Sequence, residues 1–227
     1  VAPSHPELLD FLASELIRGG WKLKPIHKLI MLSAAYRQSG ESNPVAAKAD
    51  PDNQLMWRRR AVRLDAEAIR DTLLAVSGTL DKTMFGKGTL NQAIPRRSIY
   101  LTVKRGNLIP MLQLFDAPDA IQSIGHRDVT TVPPQALALM NSPLARQLAE
   151  KFAKRIHSTP SMSPEKVVDS AYAIALSRPP TDAERQQMAD FIKKQAASYS
   201  ADDKAMERAV ADFCQLMLCL NEFIFID

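Results

Sequence analysis

Residues 116–131, DAPDAIQSIGHRDVTT, hold the densest run of reactive side chains in the sequence. Asp116, Asp119, His126 and Asp128 are hard or borderline metal ligands, and Arg127 can grip a carboxylate or phosphate through its planar fork. Paired carboxylates at a defined separation could also supply a general acid with a base or nucleophile, as glycoside hydrolysis requires. Either chemistry needs these side chains to converge, which spacing alone does not establish. The plainer reading is turn and helix chemistry. Asp116 and Asp119 flank Pro118 in a turn, and Thr130 and Thr131 stand just before a helix start. We read the stretch chiefly as architecture, with Arg127 and Asp128 the residues that do more.

Other reactive types lie apart. Arg58, Arg59, Arg60 and Arg63 follow Trp57 and read as a solvated helix face that could meet an anion. His5 and His27 fall near helix starts and His157 near a helix end, positions that favour capping or surface roles. Cys214 and Cys219, five apart in a helical segment, point to different sides; they suit neither a local disulfide nor a zinc site and read as apolar filler. The haem-attachment pattern C-x-x-C-H, a Walker loop, G-x-G-x-x-G after a strand, H-E-x-x-H and G-x-S-x-G are all absent. No cofactor is therefore expected in this chain.

Net charge is +4 but unevenly spread: residues 1–110 carry 17 Lys/Arg against 10 Asp/Glu, and residues 111–227 carry 12 against 15. A basic half can face a phosphate, an anionic polymer or an acidic neighbouring domain, while the lack of regularly interleaved aromatics argues against specific nucleic-acid binding. With 46% apolar and 24% charged residues the composition is that of an ordinary globule, and only 8 glycines argue against an all-β sandwich. There is no apolar run long enough for a transmembrane segment and no signal peptide opens the sequence.

Elements must then position these groups. Ser4 with Glu7 reads as a capping box before a helix striped by Leu9, Leu12, Ala13 and Leu16 and stopped at Gly19-Gly20. Pro25 opens a second helix running to near Tyr36; residues 39–53 read as a surface loop, and DPDNQLMWRRR as the beginning of a turn of helix. A long helix is expected over about 64–77, with Gly78 as its cap, followed by a loop over 81–95. RRSIYLTVKR (96–105) alternates Ile99, Leu101 and Val103 with polar residues, a half-buried period of two whose partner would be a loop or the FIFID tail. Helices follow at about 108–115, after Pro133-Pro134, over 143–157, from Ser163-Pro164, and from the Thr181/Glu184 capping box to about 198. The last places Met206, Val210, Phe213, Met217, Leu220 and Ile224 on a stripe wide enough to imply burial. The fold class is mostly α: an irregular bundle of about eight helices with a minor β element near residues 98–103. The chain reads as one domain, with a possible subdivision into a basic 1–115 and an acidic helical 116–227.

Several blocks, in order, resemble one family: PSHPELLDFLASELIRGGWKLKPIHKLIMLSAAYRQSG, DPDNQLMWRRRAVRLDAEAIRDTLLAVSGTLD, RRSIYLTVKR, LQLFDAPDA, RDVTTVPPQALALMNSP, AYAIALSRPPTDAE and LCLNEFIFID. It is the planctomycete-associated domain of unknown function numbered fifteen-fifty-three. The resemblance implies the C-terminal part of a large exported, extracytoplasmic protein, with another domain before it and often a cytochrome-c-like domain further upstream, so that haem c would belong there and not here. It implies an envelope setting linked to polysaccharide handling, and supplies no catalytic residues to carry over. The sequence starts at the HPELLD block without the helical stretch expected before it, which reads as a fragment. The expected function is a non-catalytic docking module whose partners are neighbouring domains and a glycan or protein. The alternative is a glycan-acting hydrolase or lyase using Asp116, Asp119, His126 and Asp128. A third reading makes the basic half a partner surface for an upstream haem domain.

Overall fold

The structure, a computed structural model, describes residues 3–106, 108–121, 124–157, 159, 162–199 and 203–226. It divides into two compact units, residues 1–62 with 227, and residues 63–226. The described residues form eleven α-helices, eight of them of nine residues or more, and two strands of two residues each. The mostly-α expectation holds.

The second unit is organised around the stripe read from its C-terminal helix. That helix, α10 (Ala205–Leu218), buries Val210, Phe213, Cys214, Met217 and Leu218 almost completely. It packs against α7 (Pro143–Ile156) and α9 (Asp182–Ser198), and α9 against α8 (Pro164–Ala175). Leu148, Phe152 and Ile156 of α7, Val168 and Ala171 of α8, and Ile192 of α9 complete the core. Burial pushes the Cys214 thiol up from its ordinary value, as suits a residue serving as apolar volume. The helix starts work as their sequences promise. Proline occupies the first turns of α7 and α8, where a missing N–H costs nothing; the Ser142 hydroxyl accepts from Ala145 N at 3.0 Å and the Ser163 hydroxyl from Lys166 N at 3.5 Å. Thr181 and Glu184 form both halves of their box at the start of α9.

Glu184 has a further partner. Arg178, in the loop before α9, donates to both Glu184 oxygens at 2.7 and 2.9 Å, and to both oxygens of Glu222 in α11 (Asn221–Ile224) at 2.6 and 2.7 Å. The guanidinium holds the Glu184 carboxyl down at about 2.

The long helix expected over 64–77 is α4 (Ala66–Val76), and its inner face carries a charge. Arg70, only 4% exposed, sits among Ala66, Ile69, Leu73 and Leu74. Its guanidinium donates to the carbonyl oxygens of Ile94 (2.6 Å), Arg96 (2.9 Å) and Gln92 (3.2 Å) and to the Ser98 hydroxyl. One side chain thus stitches the loop 79–105 to the helix. Gly78 turns the chain out of α4 at φ +75°, and the Arg155 side chain lies so close that an added Cβ would meet its Cδ at 3.3 Å. From there Arg155 donates to the terminal carbonyls of Ala75 and Val76 at 2.9 and 2.8 Å.

The β element is not where the alternation placed it. Residues 98–100 are a single 3-10 turn, and 96–105 form isolated bridges in place of a strand, among them Asp81 with Arg96 and Thr89 with Leu101. The burial also breaks the alternation: Leu101 faces in as expected, but so does Ser98, whereas Ile99 and Val103 are exposed. The two-stranded pair is instead β1 (Val62–Arg63), where the chain enters the second unit, with β2 (Phe225–Ile226) of the FIFID tail; the final Asp227 lies outside the described residues.

In the first unit, α1 (Pro6–Arg18) begins with His5 at its cap position, but the expected box is not formed: the Ser4 hydroxyl meets His5 Nδ1 at 3.0 Å instead. The second helix, α2 (Leu23–Leu32), starts before Pro25 and ends short of Tyr36. Inside the expected loop 39–53 lies a short helix, α3 (Pro44–Ala49), capped by Asn43 Oδ1. The expected helical turn after it is a carboxylate-centred turn in which Asp50 accepts from Gln54 N and Leu55 N at 3.0 and 2.7 Å.

Two outcomes are expected on unfolding. Replacing Arg70 with Met leaves the three loop carbonyls without their donor and lowers stability in urea by about 2–4 kcal/mol. The Glu184 contribution is present in full above about pH 4.5, the ordinary carboxylate value, and is lost as pH falls towards 2. Glu184→Gln therefore flattens stability against pH across that window, as read by urea midpoints at successive pH values.

Candidate functional site

The five residues singled out at 116–128 do not converge on one point. Asp116 adopts a left-handed backbone, φ +61°, uncommon for a non-glycine residue, and its carboxylate turns inward. It accepts from Arg63 Nη2 and Thr130 N, each at 2.8 Å, and from the Thr130 hydroxyl at 2.9 Å. Arg63 also donates to the carbonyl oxygens of Phe115 and Thr130, and its guanidinium lies over the Phe115 ring. Burial would raise the Asp116 carboxyl, but the N–H and hydroxyl of Thr130 and the Arg63 guanidinium outweigh it and hold the group below its ordinary range. This is a clasp that joins the DAPD turn to the TTVPP segment. Buried Gln135 reinforces it: its amide donates to Leu114 O at 3.0 Å, and its oxygen accepts from Val132 N at the start of α6 (Pro133–Asn141). The expected solvated arginine face is accordingly corrected. No helix forms there; Arg58 and Arg59 lie over Trp57 and Tyr36, and Arg63 is buried.

Arg127 reaches Glu67 in the first turn of α4 through two parallel bonds of 2.8 and 2.9 Å, with Asp65 3.7 Å away. Hydrogen bonding from Arg127 lowers the Glu67 carboxyl. Beside this pair opens a cavity of about 250 Å³ with an apolar wall of Ile109, Leu112 and Pro118 and with Asp119 at its margin. Asp119 is exposed and accepts from Ile121 N at 3.2 Å, an Asx turn. His126 and Asp128 are exposed and make no hydrogen bond or ion pair among the described residues; Gln122 and Ser123, between them and Asp119, lie outside the described residues. Among the described residues no three His, Cys, Asp or Glu side chains gather to hold a metal ion. The structure thus brings Asp119 and Arg127 to one cavity wall, turns Asp116 into the fold, and leaves His126 and Asp128 in solvent.

Glu67, the partner that orders Arg127, has no signal in the sequence beyond an unpaired acid in a helix's first turn.

A second candidate is a surface. Every apolar residue described in the first unit is at least partly exposed; its one buried residue is Asn53. Leu8, Leu9, Phe11 and Ile17 of α1 and Leu23, Leu29, Ile30, Met31 and Leu32 of α2 are each 37–61% exposed. Of the ten residues of α2 only Lys24, His27 and Lys28 are polar, and they share one side, which leaves a broad apolar face of the kind another element covers.

Comparison with known proteins covers all of the quoted sequence blocks except LCLNEFIFID. A family model described as PSD1, protein of unknown function (DUF1553), matches residues 1–192. The chain belongs to that family. No curated protein and no solved structure matches it. Among the described residues no helix is long and apolar enough to cross a membrane.

The two roles of the acidic residues separate on substitution. Asp116→Asn leaves Arg63 buried without its counter-charge and lowers stability by about 2–4 kcal/mol at neutral pH. The deficit narrows as pH falls below the ordinary carboxylate value, where the parent protein loses the same charge. Asp119→Asn and Asp128→Asn shift stability by no more than about 0.5 kcal/mol. Urea titrations at neutral and acid pH measure all three.

Proposed function

We propose that the chain is an interaction module that docks on neighbouring domains of the same polypeptide through α1 and α2. The observation that carries this reading is the absence of any buried apolar residue in the described first unit, although α1 and α2 are both amphipathic and each carries an apolar face. A bare two-helix hairpin gains too little burial to hold its own shape, and a large contiguous apolar surface is the mark of an interface. The partner is apolar and helical, because α1 and α2 offer ridges to pack against and no strand edge to extend. The setting is a multidomain exported protein at the cell envelope, with a link to polysaccharide handling, as family resemblance implies.

The acidic cluster supports binding over bond-breaking. Its best-ordered carboxylate is committed to Arg63 and Thr130, and its cationic member to Glu67. A pair of carboxylates sharing one cleft, the minimum for glycoside hydrolysis, is therefore not assembled from Asp116 with Asp128.

The test replaces Leu9, Ile17, Leu29 and Leu32 together with Gln. None of the four is buried, so the cooperative unfolding of the second unit stays within about 0.5 kcal/mol of the parent. Affinity for the separately expressed preceding domains, measured by titration calorimetry, falls by about a hundredfold or more. Undiminished affinity in the quadruple variant sinks the reading.

A further inference from the structure

The loop 79–105 presents apolar side chains to solvent and is built to keep them there. Met84 and Phe85 at its tip are 63% and 79% exposed, and Ile99 and Val103 are 74% and 73% exposed. The tip and the 98–103 segment form one piece, since Thr89 N donates to Tyr100 O at 2.9 Å and Thr102 N to Thr89 O at 2.8 Å. Four contacts fix the tip. The Phe85 N–H donates to the Tyr100 hydroxyl at 2.6 Å, Arg96 Nη2 donates to Thr83 O at 2.9 Å and Phe85 O at 2.6 Å, and the Arg96 guanidinium stacks 3.7 Å from the centre of the Tyr100 ring. Phe85 is held at φ +66°, a conformation that costs an aromatic residue energy and that glycine adopts freely. An exposed aromatic residue whose strained backbone is clamped by dedicated partners is displayed for contact.

The charge around it identifies the contact. Between positions 79 and 106 the sequence carries Lys82, Lys87, Arg96, Arg97, Lys104 and Arg105 against one acidic residue, Asp81, whose carboxylate accepts from Thr83 N at 2.9 Å. Arg96 is engaged in the clamp and Arg97 lies 3.9 Å from Asp71. Lys82, Lys87, Lys104 and Arg105 are exposed and in no ion pair among the described residues. An apolar tip with a lysine on either side matches the two layers of a lipid interface: acyl chains accept the apolar side chains while headgroup phosphates meet the cations. A protein pocket complementary to this tip would need acidic residues placed around it, whereas an anionic bilayer offers negative charge at every position.

We propose that this loop is a peripheral membrane-binding element: it seats Met84 and Phe85 in the interface of an anionic lipid bilayer, with Lys82, Lys87, Lys104 and Arg105 at the headgroups. Ile99 and Val103 widen the apolar contact. The chain lies on the membrane without spanning it.

Sedimentation of the full chain with vesicles tests this directly. Binding is expected to mixed phosphatidylglycerol–phosphatidylcholine vesicles, to weaken as salt is raised, and to be lost on pure phosphatidylcholine. Lys82→Glu with Lys87→Glu lowers the partition coefficient by more than the roughly fivefold expected for each lost cation. Met84→Ser with Phe85→Ser lowers it about tenfold or more, with the unfolding transition unchanged because both side chains are exposed. In Phe85→Trp, added mixed vesicles shift the extra emission, taken as the difference from the parent, to the blue. The proposal is overturned if the parent chain ignores mixed vesicles, or if Met84→Ser/Phe85→Ser binds them as well as the parent does. It is equally overturned if vesicle binding survives there but disappears in the Leu9, Ile17, Leu29 and Leu32 variant, which would place the lipid contact on α1 and α2.

Discussion

Arginine donation to backbone carbonyls holds the second unit together outside its helices. Its loops run long stretches without a strand partner, and a carbonyl turned inward there has no ladder to accept from. Arg63 supplies Phe115 and Thr130, Arg70 supplies Gln92, Ile94 and Arg96, Arg96 supplies Thr83 and Phe85, and Arg155 supplies Ala75 and Val76. The guanidinium suits this task because its five donors are fixed in a plane and can serve several acceptors at once, from a buried position in Arg63 and Arg70 and from nearer the surface in Arg96 and Arg155. A lysine ammonium would bring fewer donors and a stronger demand for water. The loop 79–105 accordingly depends on α4 through Arg70, and the α4 end depends on α7 through Arg155.

This constraint explains why a wordy motif can be structural. The segments LFDAPD and RDVTTVPPQ are separated in sequence but joined by the Arg63–Asp116–Thr130 clasp, and every polar member of that clasp is specified by geometry. Substituting Asp116 leaves the buried Arg63 without its counter-charge, and substituting Arg63 leaves the Phe115 carbonyl without its donor. Arg127, which could have been a ligand-binding residue, is oriented by Glu67 and borders a cavity too small for more than one side chain or sugar ring.

How far the sequence could be read follows from the range of each interaction. Helix starts at Pro133, Pro143, Ser163-Pro164 and Thr181 were legible because caps act within four residues. So was the burial of α10, which an i, i+3, i+4 stripe records directly. The 98–103 segment misled because alternation reports only that some side chains face inward; a 3-10 turn with one bridge also buries Leu101 while it turns Ser98 in and Ile99 and Val103 out. Ser4 could not be told from a working cap because a hydroxyl beside a histidine has a competing partner. Arg70 carried a signal in plain view, an arginine between Ile69 and Leu73 on an apolar face. The pairings of Arg63 with Asp116 and of Glu67 with Arg127 bridge more than fifty positions, and no local pattern encodes them.

The two exposed apolar regions differ in a way that bears on what each does. On α1 and α2 the exposed leucines sit in ordinary helical backbone, with no contact devoted to keeping them outward; their exposure reflects a surface that another packed element would cover. At the tip the Phe85 backbone is strained and four contacts maintain it. Packing a helix over the first surface costs little rearrangement, whereas covering the second by a fixed protein surface would require shape and charge matched to a protruding, cation-flanked tip. A fluid interface imposes no such match. The arginine device that elsewhere closes loops onto helices is used here, through Arg96, to hold one open.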